Sequence, residues 1–512
     1  MAGRPPLALR IVSFDEETFV AEVRAACGAE PLGEAEEIPR QIRYLTAFLK
    51  RHDRPAKALL IESPYVDRHY LEEFAGYYAT ALYPPPSKTT RIHVLSEKLT
   101  DEQFRVILER AGAGEFKASC DALQAIYFGY IVVRPIPSAP IGRTVLAPYE
   151  STKARRCFAP AATQHNVHIA GLKVQIDGVP FQQQDQAVGA CATTAIWSAI
   201  SRVARADGGR APTPLAITLA ATRHLLSDRP LPALSGLDLS QTLAAIRESG
   251  FSPWVLKAEV EHDTFKLALK CCVRSGIPVI LQLRYDGDAA LHAVTVVGFR
   301  EDDDDEPAED IAISLGGGSV TLRAKGMSRV YAHDDRLGPY ARFVWQRPKK
   351  KDATWPLLRF KPGQPGFEKY EGPGKIWNAI VPLYPKLRLA PTDLIALGSE
   401  LLPLMRFLAG KDGRDRLKVD LRYAHAGRYL EEVFRLGIGA ARASKVAMTA
   451  VLPRYVGIVQ FSIDDEWLVD IVCDTTDIKR DAPAPILLAI PRHVAHSQTL
   501  QNFRALSSAS VM

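Results

Sequence analysis

The middle of the chain reads as helices followed by an unbroken run of strands, and this order limits the possible folds more than any other feature. Helical apolar spacing occurs in three segments: Cys191–Arg205, Pro214–Leu226 and Leu239–Ser249. Strand-like patterns then follow at Ile277–Arg284, Leu291–Phe299, Ile311–Leu315, Ser319–Arg323, Ser328–His333 and Ala341–Trp345. Helices followed by consecutive strands predict an α+β domain with an antiparallel sheet.

Further domains are expected on both sides, because 512 residues exceed what one hydrophobic core usually organises. Strand and helix patterns alternate over residues 1–125, which predicts an N-terminal α/β domain. We place the first boundary near the proline-rich segment Arg134–Pro140 and assign residues 126–346 to the middle domain. Residues 347–375, rich in Lys, Pro and Gly, are predicted to be a linker, and residues 376–512 a C-terminal α/β domain.

Composition argues against several function classes. The net charge is only +6, from 64 basic and 58 acidic residues, so no nucleic-acid partner is expected. No segment approaches the roughly 20 apolar residues of a spanning helix, so no membrane association is expected. The seven cysteines are scattered without a C-x-x-C pair, which disfavours disulfides and zinc and predicts a cytoplasmic protein. No cofactor is predicted, because the glycine clusters follow a helix or join two strands.

The most informative residue is Cys191, which begins the first of these helices. Apolar residues follow it at the spacing of one helix face: Ala192, Ala195, Ile196, Ala199, Ile200 and Val203. The first turn of a helix carries unpaired N–H groups and the positive end of the dipole, which favour the thiolate form of a cysteine. Because the thiolate is the nucleophilic form, the position suits a catalytic cysteine as well as a structural one.

Two further features favour catalysis. His292 opens an apolar strand, LHAVTVVGF, and a histidine there can serve as general base and acid for a nearby thiol. The strand SRVYAHDD ends in two carboxylates, Asp334 and Asp335, either of which could orient the imidazole and stabilise its charged form.

The order of these residues resembles that of papain-like cysteine peptidases, especially the bacterial branch that cleaves bacteriocin leader peptides. The resemblance covers about Gln182–Tyr340 and consists of a Gln before a helix-starting Cys, the PVIL and HAVTVVGF strands, and a strand ending in Asp. It implies that Cys191 is the nucleophile, that His292 transfers the proton, and that Asp334 orients His292. It also implies a glutamine amide that stabilises the oxyanion.

This sequence departs from the family pattern at two places. Cys-Ala-Thr stands where the leader-peptidase branch usually has Cys-Gly-Pro, and 42 residues separate His292 from Asp334, more than the usual short hairpin. Asp335 therefore remains an alternative to Asp334. Gln184 and Gln186 both remain candidates for the oxyanion donor, because they lie seven and five residues before Cys191.

These observations predict a cysteine peptidase that cleaves a peptide or isopeptide bond in a protein or peptide substrate. The flanking domains are expected to select that substrate or a protein partner. Acyl transfer to an amine and glutamine deamidation use the same dyad and are alternatives. A non-catalytic papain-like scaffold that binds a protein partner is a third hypothesis, since a fold does not fix a function.

Overall fold

The computed structural model describes an α+β protein in which every described strand pairing is antiparallel. It describes residues 8–491 except 30–37, 151–155, 159–163, 186–190, 224–235, 258–261, 286–290, 302–308, 316–317, 325, 347–356, 361–372, 436–450, 464–465 and 477–485. Among the helices of these residues, none combines the length and apolar character needed to cross a bilayer.

The N-terminal unit is a five-stranded antiparallel meander, in the order β1-β2-β3-β4-β5, with helices in the connections between the first four strands. Its elements are β1 (Ala8–Ser13), α1 (Glu16–Cys27), α2 (Arg40–Arg51), β2 (Ala58–Tyr65), α3 (Arg68–Glu73), β3 (Thr89–Leu95), α4 (Asp101–Arg110), α5 (Phe116–Ile126), β4 (Tyr127–Val133) and β5 (Ile141–Leu146).

The middle unit contains a larger sheet in the order β10-β11-β14-β15-β16-β17-β9, with β6 on β11. Strand β17 also pairs with β10, so six strands close into a ring. Its elements are β6 (Arg156–Phe158), β7 (Gln164–Ile169), β8 (Leu172–Asp177), α6 (Cys191–Ala206), α7 (Pro214–Thr222), α8 (Leu239–Glu248), β9 (Ser252–Lys257), α9 (His262–Arg274), β10 (Val279–Arg284), β11 (His292–Glu301), β12 (Glu309–Leu315), β13 (Gly318–Ala324), β14 (Met327–Asp334), β15 (Gly338–Gln346), β16 (Leu357–Phe360) and β17 (Gly374–Leu383).

The C-terminal unit packs helices on a four-stranded antiparallel sheet, β18-β19-β20-β21. Its elements are α10 (Pro391–Gly413), β18 (Leu417–His425), α11 (Ala426–Arg435), β19 (Tyr455–Ile463), β20 (Glu466–Asp474) and β21 (Ile486–Pro491).

The structure corrects the prediction of α/β flanking domains, because both flanking sheets are antiparallel. Alternation of helix and strand along the sequence does not fix strand direction. In the N-terminal unit the helical connections return the chain to the end where an antiparallel neighbour can begin. Both flanking units are therefore α+β.

The sheets also extend across the predicted boundaries. Strands β4 and β5 lie beyond residue 125 yet complete the N-terminal sheet, and the proline-rich segment between them is a hairpin connection closed by Arg134 N–H donating to the Pro140 carbonyl at 2.8 Å. Strands β16 and β17 lie in or beside the predicted linker yet belong to the middle sheet. Most of the remaining linker lies outside the described residues.

Helix α6 is buried on all of its faces, not only on the one face that its apolar spacing predicts. Every residue from Ala192 to Ala204 is buried, including the polar ones. The buried hydroxyls are satisfied, since Thr295 Oγ1 on β11 donates to the Ala195 carbonyl at 2.9 Å and Ser198 Oγ donates to the Pro180 carbonyl at 2.8 Å. These bonds fix α6 against β11 on one side and against the segment after β8 on another.

Candidate active site

Three element ends converge at the site. Cys191 is the first residue of α6, His292 is the first residue of β11, and Asp334 is the last residue of β14. Strands β11 and β14 are antiparallel neighbours, with Thr295 opposite His333. The start of one therefore meets the end of the other at the same sheet edge, which brings residues 42 positions apart into contact.

The long interval between His292 and Asp334 is filled by a separate hairpin. Strands β12 and β13 pair with each other in a two-stranded sheet and stand outside the main sheet order. The chain thus leaves the sheet after β11 and returns as β14, and the β11–β14 pairing has a register shift at Arg300/Glu301, beside the point where the chain leaves. Residues 316–317, which separate the two strands in the sequence, are outside the described part of the chain.

His292 is held directly by Asp334. Its Nε2 lies 2.9 Å from Asp334 Oδ1, whereas the nearer Asp335 oxygen is 3.8 Å away. The Arg336 backbone N–H donates to the same Asp334 oxygen at 2.9 Å, which fixes the carboxylate. Asp334 is therefore the hydrogen-bonded partner of the imidazole, and Asp335 is a second, more distant charge.

The Cys191 thiol lies beside His292. The Ala293 backbone N–H donates to Cys191 Sγ at 3.4 Å, and Sγ is 3.9 Å from the Leu291 carbonyl, so the sulfur spans the backbone on both sides of the histidine. As a hydrogen-bond partner, the Cys191 side chain also helps to raise the pKa of His292. Because Nε2 is engaged by Asp334, the ring nitrogen available to a thiol is Nδ1.

The surroundings of His292 favour its charged form. Burial alone would lower the pKa of this imidazole, but the Asp334 charge and hydrogen bond outweigh burial, and Asp335 and Cys191 act in the same direction. The net result is a His292 pKa well above its ordinary value. A histidine that stays protonated at neutral pH can balance a thiolate.

The pKa values of Asp334 and Asp335 shift in opposite directions. Burial opposes ionisation of both, but the His292 charge and hydrogen bond win at Asp334 and lower its pKa. At Asp335 burial wins, helped by the Asp334 charge, and raises the pKa to about 6. Asp334 therefore carries the negative charge that balances His292, whereas Asp335 titrates in a mildly acidic range.

The glutamines that precede Cys191 differ in their hydrogen bonds and exposure. Gln182 Nε2 donates to Glu73 Oε1 at 2.8 Å, and the Gln183 carbonyl accepts from Arg134 Nη2 at 2.9 Å, so both are tied into the fold. Gln184 follows them and is partly exposed. Gln186, the other candidate oxyanion donor, lies outside the described residues.

Asp185 has a structural role. It is buried and ion-paired with Arg134 Nη1 at 3.2 Å, in a cluster that also includes Glu73. Burial raises the Glu73 pKa to about 7, which the Arg134 charge only partly offsets. Through the Gln183 carbonyl and the Asp185 carboxylate, Arg134 fixes the chain on both sides of Gln184.

Sequence reasoning did not single out His333, which stands directly before the two carboxylates. Its Nε2 donates to the Val179 carbonyl at 2.9 Å, and its Nδ1 accepts from the Tyr340 N–H at 3.1 Å. Burial lowers its pKa to about 4, so it stays neutral. The signal available in the sequence was its adjacency to Asp334, but nothing there indicated that it braces the turn between β14 and β15.

The same corner also has ligand types that suit a metal ion. Ligand atoms of His292, Asp334 and Asp335 lie within 4.8 Å of one another. We assign the cluster to proton chemistry, because the Nε2–Oδ1 separation of 2.9 Å is that of a shared proton and Arg336 N–H occupies the same oxygen.

No model of a known protein family matches the chain, and no curated protein matches it. The residues of the site and their geometry are therefore the basis for a functional assignment.

Proposed function

We propose that the protein is a cysteine peptidase in which Cys191, His292 and Asp334 act as nucleophile, proton carrier and orienting carboxylate. One observation carries this proposal: the imidazole is held between a helix-starting thiol and a buried carboxylate 2.9 Å from Nε2. A histidine with one nitrogen fixed by a carboxylate and the other facing a thiol is the arrangement that activates a sulfur nucleophile.

In the proposed reaction the Cys191 thiolate attacks the carbonyl carbon of the scissile bond. The His292 imidazolium then donates its proton to the departing amine, which leaves a thioester on Cys191 and a neutral imidazole. Water attacks the thioester while His292 accepts one of its protons. The acid product departs, and the thiolate–imidazolium pair is restored.

The surrounding groups support separate parts of this cycle. Asp334 keeps His292 oriented and stabilises its charged form, and the Ala293 N–H donates to the sulfur and stabilises negative charge on it. We propose Gln184 or Gln186 as the side-chain donor to the oxyanion, since a carboxamide N–H can donate where the ion-paired Asp185 carboxylate cannot.

A chloromethyl ketone or acyloxymethyl ketone peptide probe tests the nucleophile. Wild type is expected to form one covalent adduct at Cys191, and Cys191→Ala to form none. Cys120→Ala is the matched control, because Cys120 is a free cysteine outside the site whose partial exposure is similar to that of Cys191. Adduct formation should persist in a chelator, and equal labelling of wild type and Cys191→Ala would refute the proposal.

Incubation with a peptide library in heavy-oxygen water separates the reactions that this dyad could catalyse. Hydrolysis yields shorter peptides with one heavy oxygen at the new carboxyl end. Deamidation yields full-length peptides in which a glutamine has become glutamate, and acyl transfer yields joined peptides. New carboxyl ends in wild type and none in Cys191→Ala would support peptidase activity. No product of any kind would favour the scaffold hypothesis.

A further inference from the structure

A cavity lies against α6, away from the triad. Its volume is about 360 Å³, within the range of small-molecule sites. Three of its lining residues, Trp197, Ser201 and Arg205, are spaced four residues apart and so share one face of α6. The rest come from the N-terminal unit, from β7 and its surroundings, and from the loop after α6, and none belongs to the triad.

The cavity lining is strongly cationic. It contains four arginines and two histidines, and no Asp or Glu of the described residues is part of it. Arg68 is paired with Glu72 at 2.8 Å, and Arg143 with Asp67 at 2.6 Å.

Two further arginines supply uncompensated charge. Within the part of the chain that the structure describes, Arg205 and Arg210 have no carboxylate at ion-pair distance. The nearest acidic residue in the loop after α6, Asp207, is paired with Arg454 at 2.7 Å. The cavity therefore has a net positive charge that this part of the chain does not balance.

The pKa shifts of residues that line the cavity agree with its net positive charge. Burial lowers the Arg205 pKa, and the neighbouring Arg143 charge lowers it further, although Tyr130 opposes them. Burial also lowers the pKa of His165 to about 3, with Arg205 and Arg143 adding to it, and that of His69 to about 4. Both imidazoles are thus neutral, and the arginines repel further positive charge.

The cavity also has a buried hydrogen-bond donor to offer. Trp197 is fully buried, and its Nε1 has no acceptor among the described residues. Its ring meets His69 edge-on at 5.5 Å, and His69 Nδ1 is likewise buried without a partner among those residues. An indole N–H can only donate, so a ligand that satisfies it must bring an acceptor.

The carbonyl groups at the C-terminal end of α6 do not offset the positive charge of the cavity. Its last carbonyls already accept bonds from the following turn, since Gly208 N–H donates to the Arg205 carbonyl at 3.1 Å and Gly209 N–H to the Ala204 carbonyl at 2.8 Å. Gly208 adopts the left-handed conformation that such a turn requires, with φ of 80°.

We propose that this cavity binds a small molecule that carries a phosphate group. A phosphate ester combines nearly two negative charges with three acceptor oxygens at one point, which matches the nearby indole N–H and two guanidinium groups that have no carboxylate partner among the described residues. A carboxylate brings one charge and two oxygens and would leave more of these donors unsatisfied. This site stands apart from the triad, and its occupancy does not depend on the proposed peptidase activity.

Calorimetric titration of the full chain with inorganic pyrophosphate tests the site. We expect saturable binding of one pyrophosphate per chain, weakened at least tenfold in the double variant Arg205→Gln/Arg210→Gln. Both side chains reach solvent and have no carboxylate at ion-pair distance among the described residues, so the variant should fold, as circular dichroism can verify. Arg247→Gln is the matched control, because Arg247 is an exposed arginine in the last turn of α8, as Arg205 is in α6.

Two comparisons complete the test. Pyrophosphate should change tryptophan emission in wild type but not in Trp197→Phe, and citrate at matched ionic strength should bind at least tenfold more weakly. Absence of saturable pyrophosphate binding, or equal affinity in the double variant, would overturn the site. Citrate binding as tight as pyrophosphate would overturn the assignment to phosphate.

Discussion

At the scale of single residues, the decisive feature is how His292 is shared between two carboxylates. The sequence predicts both Asp334 and Asp335 as candidates but cannot choose between them. The β14–β15 pairing has a register shift between Ala332 and Asp334, directly beside the two carboxylates. Bulges of this kind depend on strand pairing and leave no local pattern in the sequence, so the choice had to come from the structure.

The alkylation rate of Cys191 as a function of pH should distinguish the two carboxylates. Asp334→Asn removes the hydrogen-bonded charge, which makes the imidazolium and hence the thiolate less stable. The half-maximal pH of iodoacetamide modification should rise by about one unit or more. Asp335→Asn should shift it less, because its oxygen is 3.8 Å from Nε2 rather than 2.9 Å. A larger shift in Asp335→Asn would reverse the two roles.

Asp335 should also make stability depend on pH. Its pKa in the folded state is raised to about 6, above that of an unfolded chain. Its contribution is therefore fully present below about pH 4 and is lost as the pH rises through about 6. Relative to wild type, Asp335→Asn should gain stability over this interval, as urea denaturation at several pH values can measure. A constant difference between the two proteins would contradict the assigned shift.

At the scale of elements, the site depends on where one helix and two strands end. Sequence patterns predicted α6, β10, β11 and β14 to within two residues at each end, because apolar periodicity and flanking turns are local signals. Strands β9 and β17 were missed. Each contains a proline near one end, and the two strands are stabilised mainly by pairing with each other and with β10, which only the fold reveals.

The turn between β14 and β15 is the element most sensitive to a single change. His333 satisfies the Val179 carbonyl and the Tyr340 N–H, and Tyr340 adopts a strained φ of 54°. His333→Ala leaves both buried groups without their partner and should destabilise the protein by about 2–4 kcal/mol. His168→Ala, at an exposed position on β7, should stay within about 0.5 kcal/mol. Equal effects in urea denaturation would remove His333 from its bracing role.

At the scale of the whole molecule, the N-terminal unit supports the site as well as packing beside it. One continuous hydrophobic core contains residues of all three units. Tyr44 Oη on α2 donates to the Pro339 carbonyl at 2.8 Å, and Gln41 Nε2 donates to the Asp335 carbonyl at 3.4 Å. Chain length and linker composition predict separate domains; the three main sheets are separate, and side-chain packing in the shared core connects the three units. Such packing depends on contacts between distant residues, which local composition does not indicate.

Gly338 offers a direct test of this junction. A Cβ at Gly338 would lie 2.3 Å from Tyr44 Cδ1, and the ring cannot move aside because it is buried and hydrogen-bonded. Gly338→Ala should therefore cost about 1–3 kcal/mol and should slow Cys191 alkylation. Gly112→Ala is the matched control, since nothing lies within 4 Å of its Cβ position, and it should be neutral or slightly stabilising. Similar melting temperatures for the two variants would contradict the junction.

The central claim is that His292 activates Cys191, and the rate of iodoacetamide modification at pH 6 tests it most directly. Peptide mass spectrometry can follow Cys191 and the similarly exposed Cys120 in the same chain. In wild type, Cys191 should react about tenfold faster than Cys120 or more, because only the thiolate reacts. In His292→Gln, folded by circular dichroism, the two rates should become similar. A Cys191 that reacts no faster than Cys120, or equally fast without His292, would contradict the account.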